Sequence, residues 1–177
     1  LNVNSDLNFD NLDINFKSNL IKKYLENYEN KISIKDPNIS FKYSNDLINF
    51  QLDGKYSLNN KKDNFFIKFE GNENNFEFYS LLDLDKNILN LNDIQYYKKN
   101  NIPAKLEILL NKSKKSFNLK KISFNENQNY ILAQNLNISP DSKIKSVDEI
   151  DVNFINTNGI LNNFKIKKNL NKYNFIG

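Results

Sequence analysis

With 177 residues, 14 Phe, 9 Tyr and 39% hydrophobic positions, the chain has enough apolar mass for one sizeable domain and too many aromatics for a disordered tail. It contains no Cys and no His, which excludes a disulfide framework, a thiolate metal site and a thiol nucleophile, and removes the usual general base and the commonest transition-metal ligand. Net charge is +4, no apolar run approaches the ~20 residues that cross a bilayer as a helix, and the start shows no signal-peptide architecture.

In chain order, Leu7, Phe9, Leu12, Ile14 and Phe16 predict an opening strand. The period then changes. Leu20, Ile21, Tyr24, Leu25 and Tyr28 recur at three- and four-residue spacing behind Ser18 as N-cap, which predicts one short helix near residues 18–30. After Lys31 everything reads as extended: Ile32 and Ile34 precede Pro37, Ile39, Phe41 and Tyr43 follow it, and Ser44-Asn45-Asp46 turns the chain. Ile48, Phe50, Leu52, Tyr56 and Leu58 then alternate through Gly54. In DNFFIKFEGNENNFEFYS, Phe65, Ile67 and Phe69 alternate with Phe66, Lys68 and Glu70, the chain turns at Gly71-Asn72-Glu73-Asn74, and Phe76 and Phe78 alternate with Glu77 and Tyr79. This is a hairpin with one strongly apolar face. Residues 82–91 are expected to continue as strand, as are Ala104, Leu106, Ile108 and Leu110 after Pro103, and then 117–119, 130–132, 152–154, 164–166 and 173–175 between Lys- or Asn-rich turns.

The fold class expected is mainly β: an elongated, twisted antiparallel β meander, shaped as an open groove or half-pipe, with one short helix. Residues 1–177 read as a single β-rich segment, and a chain that begins at Leu1 and holds no Met is expected to be an internal piece of a longer one. About a fifth of the residues are Asn, every basic residue is Lys, and Ile far outnumbers Val, the drift of an AT-rich genome.

Candidate chemistry is sparse. Asp83, Asp85 and Asn87 begin like a calcium loop, but Ile88 stands at the sharp-turn Gly position and Ile94 where a bidentate Glu belongs. Asp148, Glu149 and Asp151 read as a solvated turn before a strand, with cation binding as the alternative. Lysines at 22–23, 61–62, 98–99, 112–121 and 165–168 sit at turns and strand ends without Arg, which suits protection of sheet edges better than a phosphate-binding stripe. The sequons at Asn38, Asn111 and Asn137 follow from composition. The four glycines, Gly54, Gly71, Gly159 and Gly177, form no phosphate-cradling cluster. No catalytic residue, metal ligand or cofactor is expected.

The apolar face is the strong signal, and Phe65, Ile67, Phe69, Phe76 and Phe78 fit a closed sandwich core and an open curved sheet equally well. The helix SNLIKKYLENYEN among strands, followed by NNFEFYSLLDLDKNILNLNDIQYY, IPAKLEILLNKSKKSFNLKKISF, ILAQNLNISPDSKIKSVDEIDVNF and NNFKIKKNLNKYNFIG, resembles the interior of AsmA-like proteins of the YhdP and TamB type. The resemblance covers most of the chain and consists of strand rhythm. It implies a long twisted β structure with an apolar groove, anchored in the inner membrane of a Gram-negative cell through a region outside 1–177, crossing the periplasm and carrying phospholipid toward the outer membrane. Acyl chains would then lie on Ile48, Phe50, Leu52, Phe65, Ile67, Phe69, Phe76, Phe78, Leu106, Ile108 and Leu110. Envelope proteins are possible partners and nucleic acid is not one. The second reading is an extracellular or cell-surface β-sandwich domain for adhesion or scaffolding.

Overall fold

A computed structural model describes residues 2–26, 28–58, 61–114, 116–139, 143–170 and 172–177; Leu1, Asn27 and Lys115 lie outside the described residues. The elements are β1 (Val3–Asn8), β2 (Asn11–Asn15), α1 (Asn19–Tyr24), β3 (Lys31–Ser44), β4 (Leu47–Ser57), β5 (Lys62–Gly71), β6 (Phe76–Asp83), β7 (Leu89–Leu91), β8 (Tyr96–Lys98), β9 (Ala104–Ser113), β10 (Ser116–Glu126), β11 (Asn129–Ile138), β12 (Ile144–Ser146), β13 (Glu149–Ile155), β14 (Leu161–Asn169) and β15 (Lys172–Ile176). Among the described residues, thirteen strands form one open antiparallel sheet in the order β1-β3-β4-β5-β6-β9-β10-β11-β13-β14-β15, with β2 beside the other half of β3 and β12 beside β11. β7 and β8 form a separate two-stranded ladder. A sandwich needs a second sheet over the apolar face, and a two-stranded ribbon is too small to be one.

Why one face is apolar follows from the register. Residues directly opposite each other share a face, and one row crosses all eleven strands of the main path: Leu7, Ile39, Leu52, Ile67, Ser80, Ile108, Ile122, Ala133, Ile150, Ile166 and Phe175. A second row runs Phe41, Phe50, Phe69, Phe78, Leu110, Leu119 and Leu136. Only Ser80 interrupts the first row. Leu119 and Ile122 share the inner face although three residues apart, because β10 bulges against β9 between Leu119 and Lys121; an extra residue resets the alternation. Asn135, at φ 51, absorbs the matching step on β11. The hairpin between β5 and β6 depends on Gly71, where a Cβ would stand 2.3 Å from the Asn75 carbonyl oxygen, and Asn72 Oδ1 closes the turn by accepting the Asn74 and Asn75 amides at 3.0 Å.

The regular helix is shorter than the 18–30 expected. Ser18 caps it, its hydroxyl accepting the Ile21 amide at 3.2 Å, but at Leu25 the backbone turns extended and makes a single antiparallel bridge to Leu89. Tyr28 is instead buried at 2% exposure, its hydroxyl donating to the Phe16 carbonyl. The 82–91 strand is likewise broken: β6 ends at Asp83 and β7 begins at Leu89. Between them the chain is held by a buried polar clasp. Lys98 has no exposed surface, and its ammonium donates to the carbonyls of Lys99 at 2.9 Å, Asn87 at 3.0 Å and Asp85 at 3.4 Å. Asp63 accepts the Lys86 amide at 2.9 Å and the Asn87 side-chain amide at 2.7 Å, while the Tyr56 hydroxyl donates to the Asp83 carbonyl at 2.6 Å.

This clasp lays α1 and the β7–β8 ribbon over one end of the apolar face. The ribbon is tied to α1 by Lys23 on Asp93 at 2.7 Å and by the Asn90 amide on Glu26 at 2.9 Å. At its far side Gln95 accepts the Thr157 amide on its backbone carbonyl at 2.8 Å and the Asn158 side-chain amide at 3.0 Å. Beneath the layer lie the buried Ile34, Tyr56, Leu58, Phe65, Leu84, Phe124, Val152 and Phe154, and Tyr96 reaches down to them from β8. Tyr96 packs edge-on against Phe124 at 5.7 Å and Phe154 at 5.4 Å. Such side chains contribute about 1.5–3 kcal/mol each when buried.

Two outcomes follow from the clasp. Lys98→Met keeps the aliphatic stem but strands three carbonyls, and is expected to lower unfolding free energy by about 3 kcal/mol, read from the shift of the urea midpoint. Burial holds the Asp63 carboxyl above its ordinary value, opposed by the Lys86 amide and the Asn87 side chain. A folded value above the unfolded one means that Asp63 favours the fold below its unfolded value and loses that contribution as pH rises through the folded value. Asp63→Asn is therefore expected to gain stability relative to wild type as pH is raised from about 3 to 7, in denaturant titrations at each pH.

A lidded apolar groove as the candidate functional site

Between the sheet and the α1–β7 layer runs a groove of about 850 Å³ whose lining is wholly apolar. Twenty residues line it, from Ile14 on β2 to Ile131 on β11, with Ile21, Tyr24, Leu25, Leu89 and Leu91 supplied by the overlying layer. The volume lies within the range of small-molecule sites, but such sites ordinarily carry a few convergent polar groups. Here there are none. The one hydroxyl that could have served on the sheet side, on Tyr56, turns out of the groove into the clasp, where it also accepts the Asn87 amide at 3.1 Å. Burial, then the nearby Asp63 carboxylate, drives its ionisation far above the ordinary tyrosine range.

The eleven residues expected to contact acyl chains all fall on the inner face by register. They divide into two zones. Leu52, Phe65, Ile67, Leu106 and Ile108 line the roofed groove. Ile48, Phe50, Phe69, Phe76, Phe78 and Leu110 lie on the same face beyond the roof, half-buried by one another; Phe69 and Phe76 stack at 5.0 Å. Fifteen lining residues were outside that expectation, among them Ile34, Tyr56, Leu82, Ile122, Phe124 and Ile131. Tyr56 keeps period 2 with Phe50 and Leu52 on β4, so the alternation itself would have found it; Ile34 and Phe124 lie on β3 and β10, from which no contact residue was chosen. Leu89 and Leu91 carry no such signal, since a three-residue strand has no period to read.

The polar face carries ion pairs. Lys165 lies 2.5 Å from Glu149 and 2.8 Å from Asp151, and Tyr130 donates to Asp151 at 3.0 Å. The Lys165 hydrogen bond holds the Asp151 carboxyl below its ordinary value. Asp148 is apart from them, accepting the Asn135 amide at 3.0 Å. The calcium-like residues are also dispersed: Asp85 accepts the Ala104 amide at 3.0 Å, Asp83 accepts the Asn64 side chain at 2.9 Å, and Asn87 points to Asp63. Lys98 sits among the carbonyls of this turn, so a built-in ammonium supplies the positive charge there. Among the described residues no group of three or more acidic side chains is arranged to hold a metal ion, and no helix is long and apolar enough to cross a membrane.

At the closed end, Glu126 is 6% exposed on β10, with one carboxylate oxygen lacking a hydrogen-bond partner among the described residues. Burial raises its ionisation above the ordinary carboxylate range. It is absent from the groove lining.

Comparison of the chain with models of protein families, with curated proteins and with solved structures finds no match to any of them.

Proposed function

We propose that the chain is a lipid-holding segment that keeps phospholipid acyl chains against the inner face of its sheet and lets them slide along it. The observation that carries this reading is the wholly apolar lining of a groove of about 850 Å³. An apolar lining gives water no hydrogen-bond partner, so hydrocarbon is its better occupant. Hydrocarbon gains on the order of 0.8 kcal/mol for each methylene removed from water. With no polar group in the lining, binding selects the chains and not the headgroup, and the head must project into solvent.

The uncovered zone extends this. The row through Phe50, Phe69, Phe78 and Leu110 offers successive contacts of similar chemistry one strand apart, so neighbouring positions differ little in energy and transfer between them is easy. Together with the AsmA-like strand rhythm, this supports a place in a periplasmic bridge that is anchored to the inner membrane elsewhere in its chain and carries phospholipid toward the outer membrane. No residue acts catalytically in this reading, no cofactor is required, and nucleic acid is not a partner.

Photo-crosslinking in cells tests it. A crosslinking residue at Ile67 or Phe78 is expected to capture phospholipid, and one at Lys68 or Glu77, on the outer face, is not. Ile67→Asp is expected to abolish lipid capture from Phe78 while leaving the β spectrum intact, because a groove open to water hydrates the new charge. In a closed core the same carboxylate would cost several kcal/mol, comparable to a domain's whole stability. Unfolding of Ile67→Asp with no lipid adduct at either inner position would refute transport. Stripping lipid from the purified protein is expected to lower Tm, and adding phospholipid back to restore it, by linkage of binding to folding.

A further inference from the structure

We propose that Lys112 is a headgroup station: its ammonium receives the phosphate of a phospholipid at the rim of the apolar face, and the acyl chains lie along the strands from there into the roofed groove. This rests on the lipid-holding reading and adds a recognised head to it. The groove itself, being wholly apolar, has no means to select one.

Register puts Lys112 on the inner face, two residues beyond Leu110 on β9 and opposite Phe76 on β6 and Phe117 on β10. Its row lies on the far side of Leu110 from the roofed groove and runs from Tyr43 through Phe76, Lys112 and Phe117 to Ile138. From β3 to β11, no other side chain in this row, or in the two rows through Leu110 and Ile108, carries a charge. Lysines that guard a sheet against pairing stand on its edge strands, whereas β9 lies inside the sheet between β6 and β10. Edge protection is therefore not the role of this one.

Its surroundings suit an anion. The ammonium stands 5.7 Å from the centroids of both the Phe76 and the Phe117 ring, which hold it at the apolar face, and it donates to the Glu73 carbonyl at 2.7 Å. An ammonium has three donors, so this bond leaves others to spare. No carboxylate pairs with it among the described residues. A phosphate oxygen is the acceptor that fits a lone ammonium beside hydrocarbon, because a phospholipid carries both on one molecule.

Length sets the orientation. An antiparallel strand rises about 3.4 Å per residue, so Ile108 lies about 14 Å and Leu106 about 20 Å along β9 from Lys112. Both line the roofed groove. A bilayer's hydrocarbon core of about 30 Å holds two chains end to end, or about 15 Å for each. A phospholipid with its phosphate on Lys112 therefore brings its chain ends to Ile108, under the roof, and leaves its head where the β5–β6 and β9–β10 hairpins turn. Movement from strand to strand carries heads along this row, and Lys112 is where they pause.

The test presents the purified protein, in mild detergent, with photoactivatable phosphatidylglycerol and with diacylglycerol of the same chains, which lacks the phosphate. Wild type is expected to capture phosphatidylglycerol about tenfold better, the worth of one charge-assisted hydrogen bond. Lys112→Met is expected to bring that capture down to the diacylglycerol level, and Lys112→Arg to keep the preference. A diazirine at the methyl end of a chain is expected to label the segment around Ile108, and one beside the glycerol to label Phe76 or Phe117. Equal capture of the two lipids by wild type, or a preference kept in Lys112→Met, would overturn the station, and labelling of Phe117 from the methyl end would overturn the orientation. Inorganic phosphate that competes as well as phosphatidylglycerol would make Lys112 a free-anion site and overturn the lipid assignment. Capture of neither lipid would overturn the lipid-holding reading as well, an outcome told apart by diacylglycerol, whose capture needs no phosphate site.

Discussion

An antiparallel sheet eleven strands wide, apolar on one face, carries more hydrocarbon than its own chain can hide. Everything else in the molecule answers that imbalance. The pleat sends alternate residues to one side, and ten strand pairings in register line them up from Leu7 to Phe175. Among the described residues, the material laid over this face is α1 and the β7–β8 ribbon. They close one end over Phe65, Phe124 and Phe154, and leave a hollow where the cover stands off the sheet. A sandwich would have matched face with face; here a ribbon of two short strands meets a sheet several times wider.

The clasp decides where the cover sits. Lys98 is long enough to reach two carbonyls of the turn after β6, those of Asp85 and Asn87, besides that of its neighbour Lys99, and these bonds offset the cost of burying its ammonium. Asp63 accepts the Lys86 amide and the Asn87 side chain, so the turn that leads into the ribbon is held by specific bonds and not by apolar contact alone. That distinction matters for the hollow itself. Apolar contact by itself is non-directional, and a cover held only that way would collapse onto the sheet and fill the space.

Alternation made much of the sheet legible. Wherever apolar and polar residues strictly alternated, as at Ile48, Phe50 and Leu52, the strand and its inner face were readable from residue order. The turns at Asn45-Asp46 and at Gly71 were readable as well, from residues that tolerate backbone geometry others do not. The candidate acyl-contacting residues therefore fell on one face as a group. Where both faces of a strand were apolar, order alone had no means to choose. Tyr130-Ile131-Leu132-Ala133 is the clearest case: pairing with β10 and β13 sends Ile131 inward and Tyr130 outward.

What the residue order determined by itself was the class of structure and the chemistry it lacks: a β meander with one apolar face, and no thiol or imidazole. Those follow from local periodicity and composition, which need no distant contact. Only tertiary structure decided how much of the apolar face is covered, that α1 stops at Tyr24 because Leu25 bridges to Leu89, and that the bulge in β10 brings Leu119 into the inner row. Each of these depends on which backbone groups find partners across long stretches of chain: the order of residues says which side chains avoid water, and pairing between strands says where they can do so.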